Sequence, residues 1–412
     1  MPLSVNFPRL KSDLLDLAQI GLNPEDRGLY RMAFTDADMQ AKDWLLHELG
    51  EIRAAAQLDG AGNVCGRLPC PANPEAPAIL IGSHTDTVPR AGMLDGTLGV
   101  LCGLEVLRTL HENKVPLTRP VELISFSDEE GRFGGMLGSQ AFAGMATPET
   151  RHATDLDGKP LSVVMESQGL DPMAILEARR DPKTVAAYLE LHIEQGPVLD
   201  RSTASIGIVE NITGLRKWLV RFRGEANHAG TTPMAMRKDA FMGLADFAHE
   251  LPRILDENGA ADSRATIGSA QIVPGAANTV PGEVEFSLDL RDTSASQIEE
   301  LTLAVSRALH AIARRRDLAV DFELQSELAP ASCDPAILET LERCATELDL
   351  PFLKMPSGAA HDAQIMSTVT PTAMIFVPSK DGVSHTPAEW TDWADIENGA
   401  NLLLHTILKL AS

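Results

Sequence analysis

Apolar residues recur along the chain with two periods, and the change from one to the other divides it. Residues 9–22 and 36–50 carry apolar side chains at helical spacing (Leu14, Leu15, Leu17; Met39, Trp44, Leu45, Leu49), and each predicts an amphipathic helix. A Pro-rich stretch, LPCPANPEAPAI, leads into AILIGSHTDTV, an apolar run that ends in polar residues. Such a run predicts a strand buried on both faces. LGVLCGLEVLRTLHEN reads as a helix, and VELISFSDEEG as a second buried strand, again polar at its C-terminal end. Strand, helix, strand in this order predicts a βαβ unit of an α/β sheet. In such sheets ligands lie beyond the carboxyl ends of the strands, and both polar clusters fall there.

After about residue 211 the period becomes two. GLRKWLVRFRGEA alternates apolar and polar residues, as a half-exposed antiparallel strand does. A helix at about 235–256, strands around 265–273 and 283–292, a helix at roughly 294–314 and the strand LAVDFELQ follow. That β-α-β-β-α-β order is the ferredoxin-like pattern. The segment 330–412 returns to helix and buried strand (MIFVPS) and is expected to complete the first sheet. The fold class expected is therefore α/β: a mixed-sheet catalytic domain, 1–211 and 330–412, interrupted by an inserted ferredoxin-like α+β domain, 212–329. The length of 412 residues agrees, since single cores stop growing at about 250–300 residues.

Composition narrows the function. The formal charge is −23, and a chain without a basic surplus lacks the footprint for nucleic acid or for an anionic membrane surface. Hydrophobic residues make up 44%, enough for a sizeable core. The 5 cysteines contain no Cys-x-x-Cys pair, which argues against a disulfide framework or a thiolate zinc site. The N-terminal stretch lacks the basic and apolar regions of a signal peptide, so the expected location is the cytoplasm.

Separate segments offer metal-ligand side chains beside strand ends or turns. His84 and Asp86 in SHTDTV are two apart, which on an extended chain sets both on one side. That suits a ligating imidazole and a carboxylate fixing its tautomer. Glu129 and Glu130 in SDEEG, at a buried strand end, raise each other's pKa unless a cation compensates them. One could then ligate while the other activates a water. Asp95 in MLDGTLG, His192 in LHIEQGP and His385 in GVSHTPAEW have ordinary structural readings when taken singly; Asp-Gly, for example, is a turn dipeptide.

Together, GSHTDTV, MLDGTLGV, SDEEGRF, LHIEQGP, GEANHAGTTPM, SGAAHDA and GVSHTPAEW resemble the signature segments of the dinuclear zinc amidohydrolases related to aminoacylase and carboxypeptidase G. More narrowly, they resemble the hydantoinase/carbamoylase branch, which holds N-carbamoyl-L-amino-acid hydrolases, β-ureidopropionases and allantoate amidohydrolases. The resemblance runs from about residue 40 to the C-terminus. It implies two divalent metal ions bridged by Asp95, with His84 and His192 on one, Glu130 and His385 on the other, and Glu129 as general base. Such ligands suit Zn, Mn, Co or Ni. It also implies substrate contacts from Arg291, Asn278 and His228, with Gln195 and Gly358 as further contacts, and a homodimer joined through the inserted domain, which also acts as a lid. Read from the residues alone, Arg291 is either a salt bridge to Asp292 or another acid, or a fork for a substrate carboxylate. Two departures from the family pattern, Ala360 for Gly in SGAAHDA and Asp381 before GVSH, are expected to affect the substrate loop. His361 has no ligand slot in this scheme and is expected to be a structural hydrogen-bonding residue or to have a substrate role.

The expected reaction is hydrolysis of a linear ureido C–N bond, first of an N-carbamoyl-L-amino acid, with allantoate and N-carbamoyl-β-alanine as rival substrates. A metallo-exopeptidase or deacylase, and a non-catalytic binding protein, are the alternatives of other classes. HIEQGP and NHAGTTPM speak against the first, and a general base has no use in the second.

Overall fold

The computed structural model describes residues 3–411. The chain divides into two compact units, Met1–Glu210 with Ser332–Ser412, and Asn211–Ala331.

The first unit is built on a nine-stranded mixed sheet. Across its middle run four neighbouring parallel strands, in the order Val121–Phe126, Ala78–His84, Val185–Ile193 and Thr372–Val377. Val64–Arg67 and Ile206–Ile212 flank them antiparallel. Every residue of Ala78–His84, Val121–Phe126 and Thr372–Val377 is buried, which is why these strands read as unbroken apolar runs. The crossover helix Thr97–Glu112 is buried continuously from Thr97 to Leu110, and its buried charges are paired, Glu105 with Arg9 and Arg108 with Asp13 and Glu48. Because the four central strands are parallel and adjacent, their carboxyl ends lie side by side at one edge of the sheet. The first unit thereby has a single place where several loops deliver polar side chains.

The second unit carries an antiparallel sheet in the order Ala270–Val273, Glu283–Asp292, Gly214–Arg223, Ala319–Leu328, with Arg264–Thr266 also paired to Glu283–Asp292. In chain order that is 2-3-1-4, the ferredoxin-like arrangement. One face buries Trp218, Val220, Phe222, Val284, Phe286, Leu288 and Leu290 against the helices Ala240–Asn258 and Ala295–Arg316. Both helices begin where a side chain caps them: Asp239 accepts from Phe241 and Met242, and Ser294 from Gln297. The first helix therefore starts later than its apolar periodicity suggested, with a short 3-10 turn, Met234–Met236, in the intervening chain. The expected strand at 265–273 is two short strands separated by Ile267–Ser269.

Candidate metal centre

Each central parallel strand of the first unit carries a ligand-type residue at its carboxyl end or in the loop that follows. His84 is the last residue of its strand, and Glu129 and Glu130 follow Val121–Phe126 by a tight turn in which Asp128 adopts φ 56°. His192 sits at the end of Val185–Ile193, and His385 follows Thr372–Val377 with φ 56°. Asp95 lies in the turn that enters the crossover helix. These residues converge from five places in the chain, and positive φ at residues other than glycine is the kind of local strain that gathers at functional sites.

Asp95 is at the centre. Its Oδ1 lies 3.2 Å from His192 Nε2 and 3.9 Å from His84 Nε2. Its Oδ2 lies 3.2 Å from His385 Nε2, and His385 Nε2 is 3.5 Å from Glu130 Oε2. Two donor groups result, His84–Asp95–His192 and Asp95–Glu130–His385, each with ligand atoms within 4.8 Å of one another. The two oxygens of one carboxylate thus face two different sets of donors. Glu130 Oε1 is buried with no hydrogen-bond partner, an arrangement a cation relieves. Nitrogen and carboxylate donors without thiolate fit a divalent ion of the zinc or manganese kind.

The imidazoles present the correct atoms. His84 Nδ1 donates to the Asp86 carbonyl at 3.0 Å, and His192 Nδ1 donates to the Ile193 carbonyl at 2.8 Å. Each bond leaves Nε2 as the atom that faces Asp95. Burial holds the His84 pKa down to about 4, so this ring is neutral. Burial opposes charge on His192 too, but Asp95 outweighs it and raises the pKa to about 9. Positive charge is thereby drawn to the side of Asp95. Glu129 and Glu130 are both pushed up by burial, Glu129 further by Glu130 and Glu130 further by Asp95. Glu129 Oε2 lies 3.6 Å from His84 Nε2.

Asp86 behaves differently from the expectation. It is its backbone carbonyl that orients His84; the carboxylate is 3.9 Å from Nδ1. The strand ends at His84, so the alternation of an extended chain no longer holds at residue 86. The Asp86 carboxylate instead accepts from the Glu129 N–H at 3.4 Å and the Glu130 N–H at 3.2 Å, and so holds the turn that carries both glutamates. Gln195, at φ 57°, donates from Nε2 to Asp95 Oδ2 at 2.8 Å. Gly358 lies exposed in the turn after Phe352–Ser357. Ala360 is not among the residues with positive φ, so alanine is unstrained there, whereas Asp381 has φ 55°, where glycine would be at ease. His361 bonds through Nε2 to Ser357 Oγ at 2.9 Å and sets its ring edge against His192.

In the second unit, His228 and Thr279 are register partners, which brings Asn278 beside His228. His228 Nδ1 accepts from the N–H groups of Gly230 and Thr231 at 3.0 and 3.2 Å. The neutral ring therefore carries its proton on Nε2, as a donor. Arg291 pairs with Asp289, Nε to Oδ1 at 3.0 Å, while Asp292 is buried and accepts from Ser263 and Ser294. Positions 289 and 291 share one face of the strand and 292 lies on the other.

Three residues of the site were not apparent beforehand. Glu389 accepts from the N–H groups of Leu94 and Asp95 at 2.8 and 3.0 Å and from Ser384 Oγ at 2.9 Å, and Ser384 Oγ is also 3.0 Å from Asp95 Oδ2. It ties the Asp95 turn to the His385 loop. The signal was an acid between Ala388 and Trp390. Arg31 is completely buried, and donates to the carbonyls of Thr85 at 2.6 Å and Leu17 at 3.0 Å and to Thr97 Oγ1 at 2.8 Å. It thereby joins the His84 loop to the start of the crossover helix. Arg31→Met should lower stability by about 3 kcal/mol or more, because it strands buried acceptors. Chemical denaturation checks this; a change within about 0.5 kcal/mol would show that those bonds are dispensable.

Gly96 makes the close approach possible. Its φ is 62°, and a Cβ there would stand 2.3 Å from the His84 ring. Gly96→Ala should displace His84 and reduce turnover by about a hundredfold, as ångström-scale misplacement does. Steady-state kinetics with metal in excess test this, and a rate near that of the unmodified protein would contradict it.

A mixed sheet with parallel strands at its centre, and histidines and carboxylates meeting around one aspartate beyond their carboxyl ends, is the architecture of a metal-dependent hydrolase. The comparisons with known proteins are specific. Residues 80–409 match the model of peptidase family M20/M25/M40. The N-carbamoyl-L-amino acid amidohydrolase of Geobacillus stearothermophilus is 39% identical over 98% of this chain and 98% of its own. The allantoate amidohydrolase of Escherichia coli is 33% identical over 96% of each. A crystal structure of an amidase of the hydantoinase/carbamoylase family from Burkholderia multivorans matches with a TM-score of 0.90 at 34% identity, covering 100% of this chain and 99% of that one. The chain belongs to peptidase family M20/M25/M40, and within it to the hydantoinase/carbamoylase branch.

Proposed function

We propose that this chain hydrolyses the C–N bond of a linear ureido substrate, an N-carbamoyl-L-amino acid, to the free amino acid, CO2 and ammonia. The observation that carries the reading is the divided Asp95 carboxylate, with one oxygen toward His84 and His192 and the other toward His385 and Glu130. In this reading His84, Asp95 and His192 would hold one divalent ion, and Asp95, Glu130 and His385 would hold a second, with Asp95 as the shared ligand. Zinc is the ion proposed; manganese, cobalt and nickel suit the same donors. Divalent ions held there supply Lewis acidity toward a carbonyl and lower the pKa of water.

The residues of the chain do the rest. Glu129 takes a proton from the attacking water as its oxygen adds to the ureido carbonyl, and returns that proton to the leaving nitrogen as the C–N bond breaks. Its position directly before Glu130 and beside His84 supports this role. Asp86 holds the Glu129–Glu130 turn through two N–H groups, so base and ligand are set together. His228, with Nε2 left as donor, and Asn278 bind the substrate and polarise its carbonyl, and Arg291 grips its carboxylate. Gln195 and Gly358 are the further contacts. The segment 212–329 acts as a lid and joins a homodimer, and the protein works in the cytoplasm. No helix among the described residues is long and apolar enough to cross a membrane, and the net charge disfavours nucleic acid.

Allantoate is the second substrate to weigh, because the Escherichia coli relative is an allantoate amidohydrolase. The test is ammonia release by metal-loaded protein from N-carbamoyl-L- and D-amino acids, N-carbamoyl-β-alanine and allantoate, with acyl-amino acids and dipeptides alongside. Turnover of the L-carbamoyl compounds is expected. Turnover of dipeptides with no ammonia from any ureido compound would overturn the reading.

A further inference from the structure

The sheet of the second unit presents one face to its helices, and the charges on its other face are arranged in rows. In the first row Arg223 pairs with Glu283 and Asp321, both at 3.0 Å. In the next, Arg221 pairs with Glu285 at 2.5 Å and Glu323 at 3.5 Å. Further along, Lys217 stands opposite Asp289 in register. Up to this point every cation has an acid in its own row. The last row breaks the rule: Arg291 on one strand is the register partner of Arg264 on the next.

Residues directly opposite on an antiparallel pair have Cβ atoms about 5 Å apart, and like charges placed so are destabilising. Asp289, from the neighbouring row, accepts from Arg291 Nε and Nη2 at 3.0 and 3.3 Å. Arg264 makes no ion pair among the described residues; its Nη1 donates to the carbonyls of Ala261 and Ser263 at 2.8 and 2.9 Å. A guanidinium offers five N–H donors, so Nε and Nη2 of the exposed Arg264 remain for a ligand. A protein of net charge −23 thus concentrates positive charge at the one position of this face where the proposed function places a carboxylate.

We propose that the preferred substrates are ureido dicarboxylates, N-carbamoyl derivatives of acidic amino acids, whose two carboxylates are shared between Arg291 and Arg264. The proposal rests on the ureido reading above. Asp289 already offsets part of the charge of Arg291, so an anion on the exposed Arg264 cancels the repulsion that remains across the strand pair, and a planar fork meets a carboxylate with two parallel bonds. A neutral side chain in the substrate leaves the second guanidinium uncompensated, so discrimination arises from what is missing as much as from what is gained.

The test compares substrates of equal shape. Metal-loaded protein is assayed for ammonia from N-carbamoyl-L-aspartate against N-carbamoyl-L-asparagine, and from N-carbamoyl-L-glutamate against N-carbamoyl-L-glutamine. The acid of each pair is expected to exceed its amide in kcat/KM by about tenfold, mainly through KM, with the ratio shrinking as salt is added. In R264Q the ratio should fall toward one, and R264K, which restores charge without the fork, should recover part of it. Equal rates for acid and amide, or a ratio unchanged in R264Q, would overturn the dicarboxylate assignment while ureido hydrolysis stands. No ammonia from any ureido compound would instead overturn the underlying reading and this inference with it.

Discussion

Glu129→Gln is expected to abolish turnover while the protein keeps its fold and its metal. Glutamine has the size of glutamate and retains hydrogen bonding, but it cannot take a proton from water at neutral pH. General-base assistance accounts for about 10²–10⁴-fold in rate, and here the same carboxyl also returns the proton to the leaving nitrogen. The loss should therefore appear in kcat. Glu129 belongs to neither of the two donor groups around Asp95, so both remain complete in the variant. Elemental analysis of the purified variant beside its kinetics separates the cases. Loss of metal along with activity would make Glu129 a ligand, and retained activity would remove it from the mechanism.

Asp95→Ala should fail for the opposite reason: the metal goes first. Both donor groups contain Asp95, so one substitution takes a ligand from each. It also removes the acceptor for Gln195 Nε2 and Ser384 Oγ, and leaves the paired imidazoles facing empty space. Loss of a mere supporting partner costs about 10–100-fold in metal affinity, and loss of a shared ligand should exceed that. Metal competition against a chromogenic chelator measures it, with thermal melting in chelator to show that the fold survives. Unchanged affinity would contradict the bridging role.

The sequence revealed the parts that are periodic. The strand Glu283–Asp292 alternates buried and half-buried residues along its length, and the apolar runs at 78–84, 121–126 and 372–377 became buried parallel strands. The region after Glu130 was not legible. It consists of short helices, Leu137–Phe142 and Leu161–Ser167, and 3-10 turns, too short for a periodic pattern to emerge. Among site residues, those read from the sequence lie next to strand ends or turns. Those missed act across long separations: Glu389 bonds to a peptide about three hundred positions earlier, and Arg31 joins segments that only the fold brings together. Asp86 was noticed for its carboxylate, yet it is the end of the strand that turns its carbonyl toward His84. Spacing indicates which side chains can share a face, but it does not indicate where extended backbone stops.

One titration tests the paired metal centre most directly. Protein stripped of metal by chelation is reconstituted with increasing amounts of zinc or manganese, while bound metal and ammonia release from an N-carbamoyl-L-amino acid are followed together. The stripped protein should be inactive, and activity should rise to a plateau as bound metal approaches two ions per chain, one for each donor group around Asp95. Full ammonia release from the stripped protein, or a plateau at a stoichiometry that leaves one of those groups empty, would contradict it.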